Sequence, residues 1–176
     1  MSKNPKLKQL ISEVAIAKQI KILATQITKD YKEKDFIIIA VLNGSFVFLA
    51  DLIRQIPIDH KVDFIGASSY GDGLESSGRV KITKNLTLSP YGKSILLVED
   101  IVETGNTLNH LTKILLDSGA NDVQICSLLG KKKNGNFSYP VKYLGFEIED
   151  RFIVGYGLDY AGSYRNLPYI GELIWD

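Results

Sequence analysis

The chain has one cysteine among its 176 residues, which excludes an intramolecular disulfide framework. That lone thiol, Cys126, sits inside the apolar run Val123 to Leu129 and suits a reducing cytosol. Long hydrophobic runs are also missing. The longest, Phe36 to Leu42, is far too short to span a bilayer, and the stretch Met1 to Lys8 has no apolar signal core. Neither sign of charge is in excess: 21 Lys and Arg stand against 20 Asp and Glu, for a net charge of +1. No broad field therefore draws the protein to nucleic acid or to a membrane. Repeats, low-complexity tracts and linkers are absent. What remains is an ordinary globular balance, 45% hydrophobic and 23% charged, in a length that suits one core better than two. The expectation is a single-domain, soluble, cytoplasmic protein.

Local patterning predicts alternating strands and helices. Ser12 suits the N-cap of a helix reaching about Asp30, with Val14, Ala17, Leu23 and Ile27 near one stripe and Ile16, Ile20 and Ile22 widening it. Phe36 to Leu42 is continuous, apolar and β-branched, as in a strand buried on both faces. Asn43-Gly44-Ser45 breaks it, and Phe46 to Gln55 reads as a helix stopped before Pro57. Strands are predicted over Val62 to Tyr70, Arg79 to Thr83, Ser94 to Val98, Val123 to Leu129, Val141 to Phe146 and Phe152 to Tyr156. Between the first two lies Gly71 to Gly78, with almost nothing to bury and hence expected to move. Leu108, Leu111, Ile114 and Leu115 have helical spacing, closed by Gly119. Buried strands alternating with helices define an α/β class, a parallel sheet covered on both faces.

The stretch Val98 to Thr107, VEDIVETGNT, carries the chemistry. It sets three carboxylates, Glu99, Asp100 and Glu103, at the end of a buried strand and follows them with a Thr/Gly/Asn turn into a helix. In open α/β sheets ligands bind beyond the carboxyl ends of the strands. A helix N-terminus attracts anions through its unpaired N–H groups and dipole. The turn therefore suits a phosphate, and the vicinal carboxylates suit hydroxyl groups or a divalent cation. A sugar phosphate satisfies both. Spacing alone leaves open a strand end with solvated acids and an ordinary helix cap. A Walker loop is excluded because no lysine follows in register, and a dinucleotide fingerprint because its glycines are missing. A phosphoacceptor receiver domain would place its acidic pair near the chain start, whereas almost a hundred residues precede this one.

VEDIVETGNT resembles the signature of the type I phosphoribosyltransferases. VLNGSFVFLADL (Val41 to Leu52), SSYGDG (Ser68 to Gly73), GFEIEDRFIVGYGLDY (Gly145 to Tyr160) and YRNLPYIGEL (Tyr164 to Leu173) narrow the likeness to the hypoxanthine-guanine phosphoribosyltransferases. The similarity is collinear from about Leu10 onward. It implies a type I fold with a small hood built from about residues 1–12 and 157–176, and a closing segment at about 69–80. It also implies transfer of a phosphoribosyl group from phosphoribosyl pyrophosphate to hypoxanthine or guanine, with Mg2+ as cofactor and a homodimer or homotetramer as the assembly.

The resemblance further assigns roles. Glu99 and Asp100 would hold the ribose hydroxyls and contribute to the metal site, and Thr104, Gly105, Asn106 and Thr107 would wrap the 5′-phosphate. Glu103 takes the place of a general base that is aspartate in most relatives. Asn43 stands where lysine is common, before Gly44, at the pyrophosphate site. Arg165, Ser69 and Tyr70 are expected at the phosphoribosyl pyrophosphate site as well. Lys131 would donate to purine O6, Phe152 would stack on the base, the Ile153 backbone would meet its edge, and Asp159 would bind near the purine and ligate magnesium. Read without the resemblance, Lys131 to Lys133 is a solvated face, Phe152 a core aromatic and Asp159 a turn former. His60, His110 and Trp175 match no functional position. A relative that kept the fold to bind RNA would need a basic face, which the charge balance does not supply.

Overall fold

The computed structural model describes residues 5–69, 80–132 and 138–175. The chain order is β1 (Lys6–Ile11), α1 (Glu13–Tyr31), β2 (Phe36–Leu42), α2 (Phe46–Ile53), β3 (Lys61–Ser69), β4 (Val80–Lys84), β5 (Ser94–Val102), α3 (Asn106–Asp117), β6 (Asp122–Lys131), β7 (Val141–Ile148), β8 (Ile153–Val154) and β9 (Ile170–Ile174). Six strands form one sheet in the order β4-β3-β2-β5-β6-β7. All neighbours in it are parallel except β3 and β4, which pair antiparallel at one edge. This is the α/β architecture expected, with the antiparallel edge strand added.

Period-two alternation divides the central strands between two cores. Ile38, Ala40, Leu96 and Val98 point to the side of α1 and α2, where they meet Ile16, Ile20, Leu23, Ile27, Phe48 and Leu52. Ile37, Ile39, Val41, Ile95 and Leu97 point to the other side, against Leu108, Leu111 and Leu115 of α3. A strand buried on both faces favours apolar side chains throughout, which is why Phe36–Leu42 reads FIIIAVL.

Ser12 caps α1 as expected, its hydroxyl accepting from Ala15 N at 3.2 Å. The buried face differs from the predicted stripe: it is Ile16, Ile20, Leu23, Ala24, Ile27 and Tyr31, and Val14 is 79% exposed. Val14 falls roughly half a turn round the helix from Ile16, Ile20 and Leu23, on the face away from the sheet. α2 stops at Ile53, two residues short of the expected Gln55. β8 retains only two residues of the strand expected over Phe152 to Tyr156, because Gly155 at φ 97° and Tyr156 at φ 50° turn the backbone out of the sheet.

β5 runs four residues past Val98, so Glu99 and Asp100 lie within the strand and not beyond it. Pairing to β6 continues through Glu99↔Ser127, Ile101↔Leu129 and Val102↔Gly130. A charged pair reads as a solvated strand end only where no neighbouring strand continues beside it, and here β6 does.

A second, three-stranded antiparallel sheet has the order β1-β9-β8. β1 pairs with β9 from Lys6↔Ile174 to Ile11↔Ile170, and β8 pairs with β9 at Ile153↔Glu172. Arg151 donates to both Glu172 oxygens, at 3.0 and 2.8 Å, fastening the approach to β8 onto β9. Most of the segment expected to close over the site, Tyr70 to Arg79, lies outside the described residues.

Candidate active site

Strands β2 and β5 are neighbours, with Ala40 opposite Val98, so their carboxyl ends open at one edge of the sheet. The turn after β2 brings Gly44 against Asp100. A Cβ on Gly44 would stand 1.7 Å from Asp100 Oδ2, so no larger residue fits without moving that carboxylate. The Leu42–Asn43 peptide bond at this turn is cis. A cavity of about 700 Å³ opens there, lined by Asn43, Gly44, Glu99, Asp100, the run Glu103 to Leu108, and Leu158, Asp159 and Arg165.

Glu99 and Asp100 are 9% and 8% exposed. Asp100 N donates to Glu99 Oε1 at 3.3 Å. Burial raises the Glu99 pKa well above the usual carboxylate value, and the adjacent Asp100 adds to the rise. Two neighbouring carboxylates with little water resist ionising together. Hydroxyl donors or a cation relieve that repulsion, and a second anion would aggravate it.

The turn after β5 leads directly into the N-terminus of α3, a geometry that can receive an anion. Gly105 takes φ 78°, a left-handed conformation that favours glycine, and α3 starts at the next residue. Its carbonyl accepts from Asn109 N at 2.8 Å in the first helical bond. Asn106 N turns back to Thr104 Oγ1 at 3.5 Å, and the positive dipole end of the 12-residue helix borders the cavity at Asn106 and Thr107.

Glu103 joins this turn to a second cluster. Lys131, at the end of β6, forms an ion pair with Glu103, and its Nζ is 3.2 Å from Asp150 Oδ1. The Lys131 side chain is 13% exposed. Burial by itself would lower its pKa, but the carboxylates of Glu103 and Asp150 outweigh that and raise it, so the ammonium form is held. Phe152 follows two residues after Asp150 and is 46% exposed. Its ring lies edge-on to Tyr160 and to Trp175, with centroids at 5.4 and 5.2 Å. Ile153 is buried in β8, and the Phe152 carbonyl accepts from Leu173 N at 2.9 Å.

On the far wall, Arg165 donates to the Gly157 carbonyl at 2.6 Å and pairs with Asp159 at 2.7 Å. The other Asp159 oxygen accepts from Gly162 N at 2.8 Å. Both side chains are about 30% exposed, held in place yet open to a ligand.

Of the residues singled out in the sequence, Asn43, Gly44, Glu99, Asp100, Glu103, Thr104, Gly105, Asn106, Thr107, Asp159 and Arg165 line one cavity. Lys131 reaches it through Glu103. Phe152 and Ile153 sit in and next to the small sheet. The Ser69 backbone ends β3, while its side chain and all of Tyr70 lie outside the described residues. Sequence reading passed over Asp150, Leu158 and Tyr160. Asp150 and Tyr160 fall inside quoted motifs, but only the pairing Lys131↔Ile148 shows that Asp150 meets the lysine.

Fold and cavity together define an α/β protein with its ligand site at the carboxyl edge of a parallel sheet. The chain belongs to the phosphoribosyl transferase domain family, which matches residues 7–161. It is 45% identical over 167 residues to a hypoxanthine phosphoribosyltransferase of Escherichia coli K12, covering 94% of each chain. It is 44% identical over 164 residues to a hypoxanthine-guanine phosphoribosyltransferase of Staphylococcus epidermidis, covering 93% of this chain and 92% of that one. A crystal structure of a hypoxanthine phosphoribosyltransferase from Staphylococcus aureus superposes with a TM-score of 0.91 at 43% identity, over 97% of this chain and 92% of that one.

Proposed function

We propose that this protein is a purine salvage enzyme that transfers the 5-phosphoribosyl group of phosphoribosyl pyrophosphate to N9 of hypoxanthine or guanine. The products are IMP or GMP and pyrophosphate. The observation that carries the choice of base is the Lys131–Glu103 pair, in which Glu103 also lines the cavity holding Glu99, Asp100 and the turn before α3. A 6-oxopurine presents O6 and N7 side by side on one edge. An ammonium beside a carboxylate is complementary to that edge: Lys131 donates to O6 and Glu103 takes the proton from N7. Adenine offers an amino donor where O6 would be, so it meets the ammonium badly.

The remaining residues take the sugar and its leaving group. The 5′-phosphate sits in the turn 104–107, the ribose hydroxyls donate to Glu99 and Asp100, and Arg165 with the 43–44 turn receives pyrophosphate. Phe152 stacks on the purine, and the Ile153 backbone meets its edge. The C1′–N9 bond forms as the C1′–oxygen bond to pyrophosphate breaks, and the leaving group departs with that electron pair. Positive charge builds on the ribose beside Glu99 and Asp100, whose carboxylates stabilise it.

Magnesium fits the donors present. Carboxylate oxygens are hard ligands, and among the described residues no three His, Cys, Asp or Glu side chains group to hold an ion by themselves. That suits a cation bound through one or two carboxylates together with substrate phosphates. Glu99 and Asp100 on one side of the cavity and Asp159 on the other are the candidates, and one or two of them would hold it together with the phosphates. When bound it would neutralise the leaving pyrophosphate.

The deciding measurement is spectrophotometric, following nucleotide formation from phosphoribosyl pyrophosphate and magnesium with hypoxanthine, guanine, xanthine or adenine. Turnover of hypoxanthine and guanine with adenine inert is the expected result. Turnover of adenine at a comparable kcat/KM would overturn the assignment of the base.

A further inference from the structure

Phe152, Tyr160 and Trp175 form an aromatic cluster that solvent reaches from outside, at 46%, 39% and 47% exposure. The three rings are mutually close and nearly perpendicular. Phe152 and Tyr160 lie 5.4 Å apart at 90°, Phe152 and Trp175 5.2 Å apart at 88°, and Tyr160 and Trp175 5.8 Å apart at 75°. Edge-to-face pairs at these separations attract beyond their buried area.

We propose that Trp175, together with Tyr160, is a positioning residue for the purine: it fixes the ring of Phe152 in the orientation that receives the base. The inference rests on the proposal that Phe152 stacks on the purine. Three observations support it. Neither neighbour lies parallel to Phe152: both rings cross it at close to a right angle, which fixes its tilt. A half-exposed phenylalanine would otherwise turn freely about its side-chain torsions, and a ring fixed before binding loses less entropy when the base arrives. The backbone serves the same end. Leu173 N, two residues before Trp175, donates to the Phe152 carbonyl, and the Arg151–Glu172 pair brackets that bond. The strand that carries Trp175 is thereby tied to the residue that its ring touches. Phe152 and Trp175 adjoin β8 and β9 of the small sheet, whereas the turn 104–107 and the Glu99–Asp100 pair follow or lie in β5 of the large one, so the effect is expected on the base and not on the sugar phosphate.

The test is steady-state kinetics on the full chain with magnesium. Trp175→Ala should raise the KM for hypoxanthine about 3- to 10-fold, the worth of a lost aromatic pair. The KM for phosphoribosyl pyrophosphate and the single-turnover rate should stay within about twofold. Trp175→Phe should recover most of the loss. In a Phe152→Ala background, Trp175→Ala should add little, because a residue that acts through Phe152 has nothing left to position. Penalties that add in the double variant, equal rises in both KM values, or an unchanged hypoxanthine KM would each overturn the proposal. Should the alanine variant fail to fold, Trp175→Leu carries the same expectation, since it keeps bulk and loses the ring. A parent enzyme inactive on every purine would sink the proposed function and this inference with it. A parent active on hypoxanthine beside an indifferent Trp175 would sink the inference alone.

Discussion

Glu103 faces two ways: it lines the cavity that holds Glu99 and Asp100, and it pairs with Lys131. If it is the proton acceptor, Glu103→Gln keeps the size and polarity of the side chain and removes the chemistry. Single-turnover formation of IMP should then fall about 10²–10⁴-fold, with little change in either KM. Glu103→Asp should keep far more activity. A Glu103→Gln enzyme within a few-fold of its parent would make Glu103 a loop acid. Lys131 gives a different signature. Lys131→Ala should raise the KM for hypoxanthine and guanine by about 10- to 100-fold, the range for a hydrogen bond to a charged group, and leave the KM for phosphoribosyl pyrophosphate nearly unchanged. Equal losses in both would count against contact with O6. The adjacency of Glu99, Asp100 and the turn residues made that part of the site readable as a string. Asp150 could not be found that way, because its meeting with Lys131 depends on strand pairing 19 positions along the chain.

At the scale of elements, Asp63 of β3 fastens the segment after β4 to the sheet. Its carboxylate is 4% exposed and accepts from four donors. Oδ2 takes Thr87 N at 2.7 Å and Leu88 N at 2.8 Å, and Oδ1 takes Phe64 N at 2.7 Å and Thr87 Oγ1 at 3.1 Å. Burial would raise its pKa, but these donors outweigh burial and hold it below the usual 3.8. A lowered folded pKa means that the stabilisation is present above 3.8 and is lost as pH falls through the folded value. Asp63→Asn sets an NH₂ group against a backbone N–H whichever way the amide turns, at a cost of about 1–3 kcal/mol. Thermal unfolding from about pH 6 to about pH 3 should show the variant less stable near neutrality and less sensitive to acid than its parent. Parallel curves would remove Asp63 as the acid-sensitive tie. Elements were legible where one force dominated. The β-branched run Phe36–Leu42 came out residue for residue, because only burial on both faces explains it. β5 came out short, since the sequence does not record that β6 continues beside Glu99. β1 was not read at all, because Lys6–Ile11 is mostly exposed and has no apolar alternation to reveal it.

Across the whole molecule, the two sheets divide the labour. The turn 103–107 and the buried carboxylates belong to the six-stranded sheet, while Phe152 leans on the small one. Leu173→Pro deletes the N–H that holds the Phe152 carbonyl and disrupts β9. Loss of roughly 3 kcal/mol corresponds to a drop in Tm of roughly 6–12 °C for a chain of this size. The KM for hypoxanthine should rise well beyond the KM for phosphoribosyl pyrophosphate, and a matched rise in both would show that the sheets act as one unit. The small sheet also pairs β1 near one end of the described chain with β9 near the other. On the ribosome, residues 6–11 emerge early and their partner, 170–174, after every other described element. A polypeptide stalled before Ile170 already carries all six strands of the large sheet and the turn between β5 and α3. It lacks β9, whose Leu173 N holds the Phe152 carbonyl, so under the proposed function such a product would keep the residues assigned to the sugar donor and lose the support of the base. On the proposed function, the seat of the base is completed only once β9 has been made.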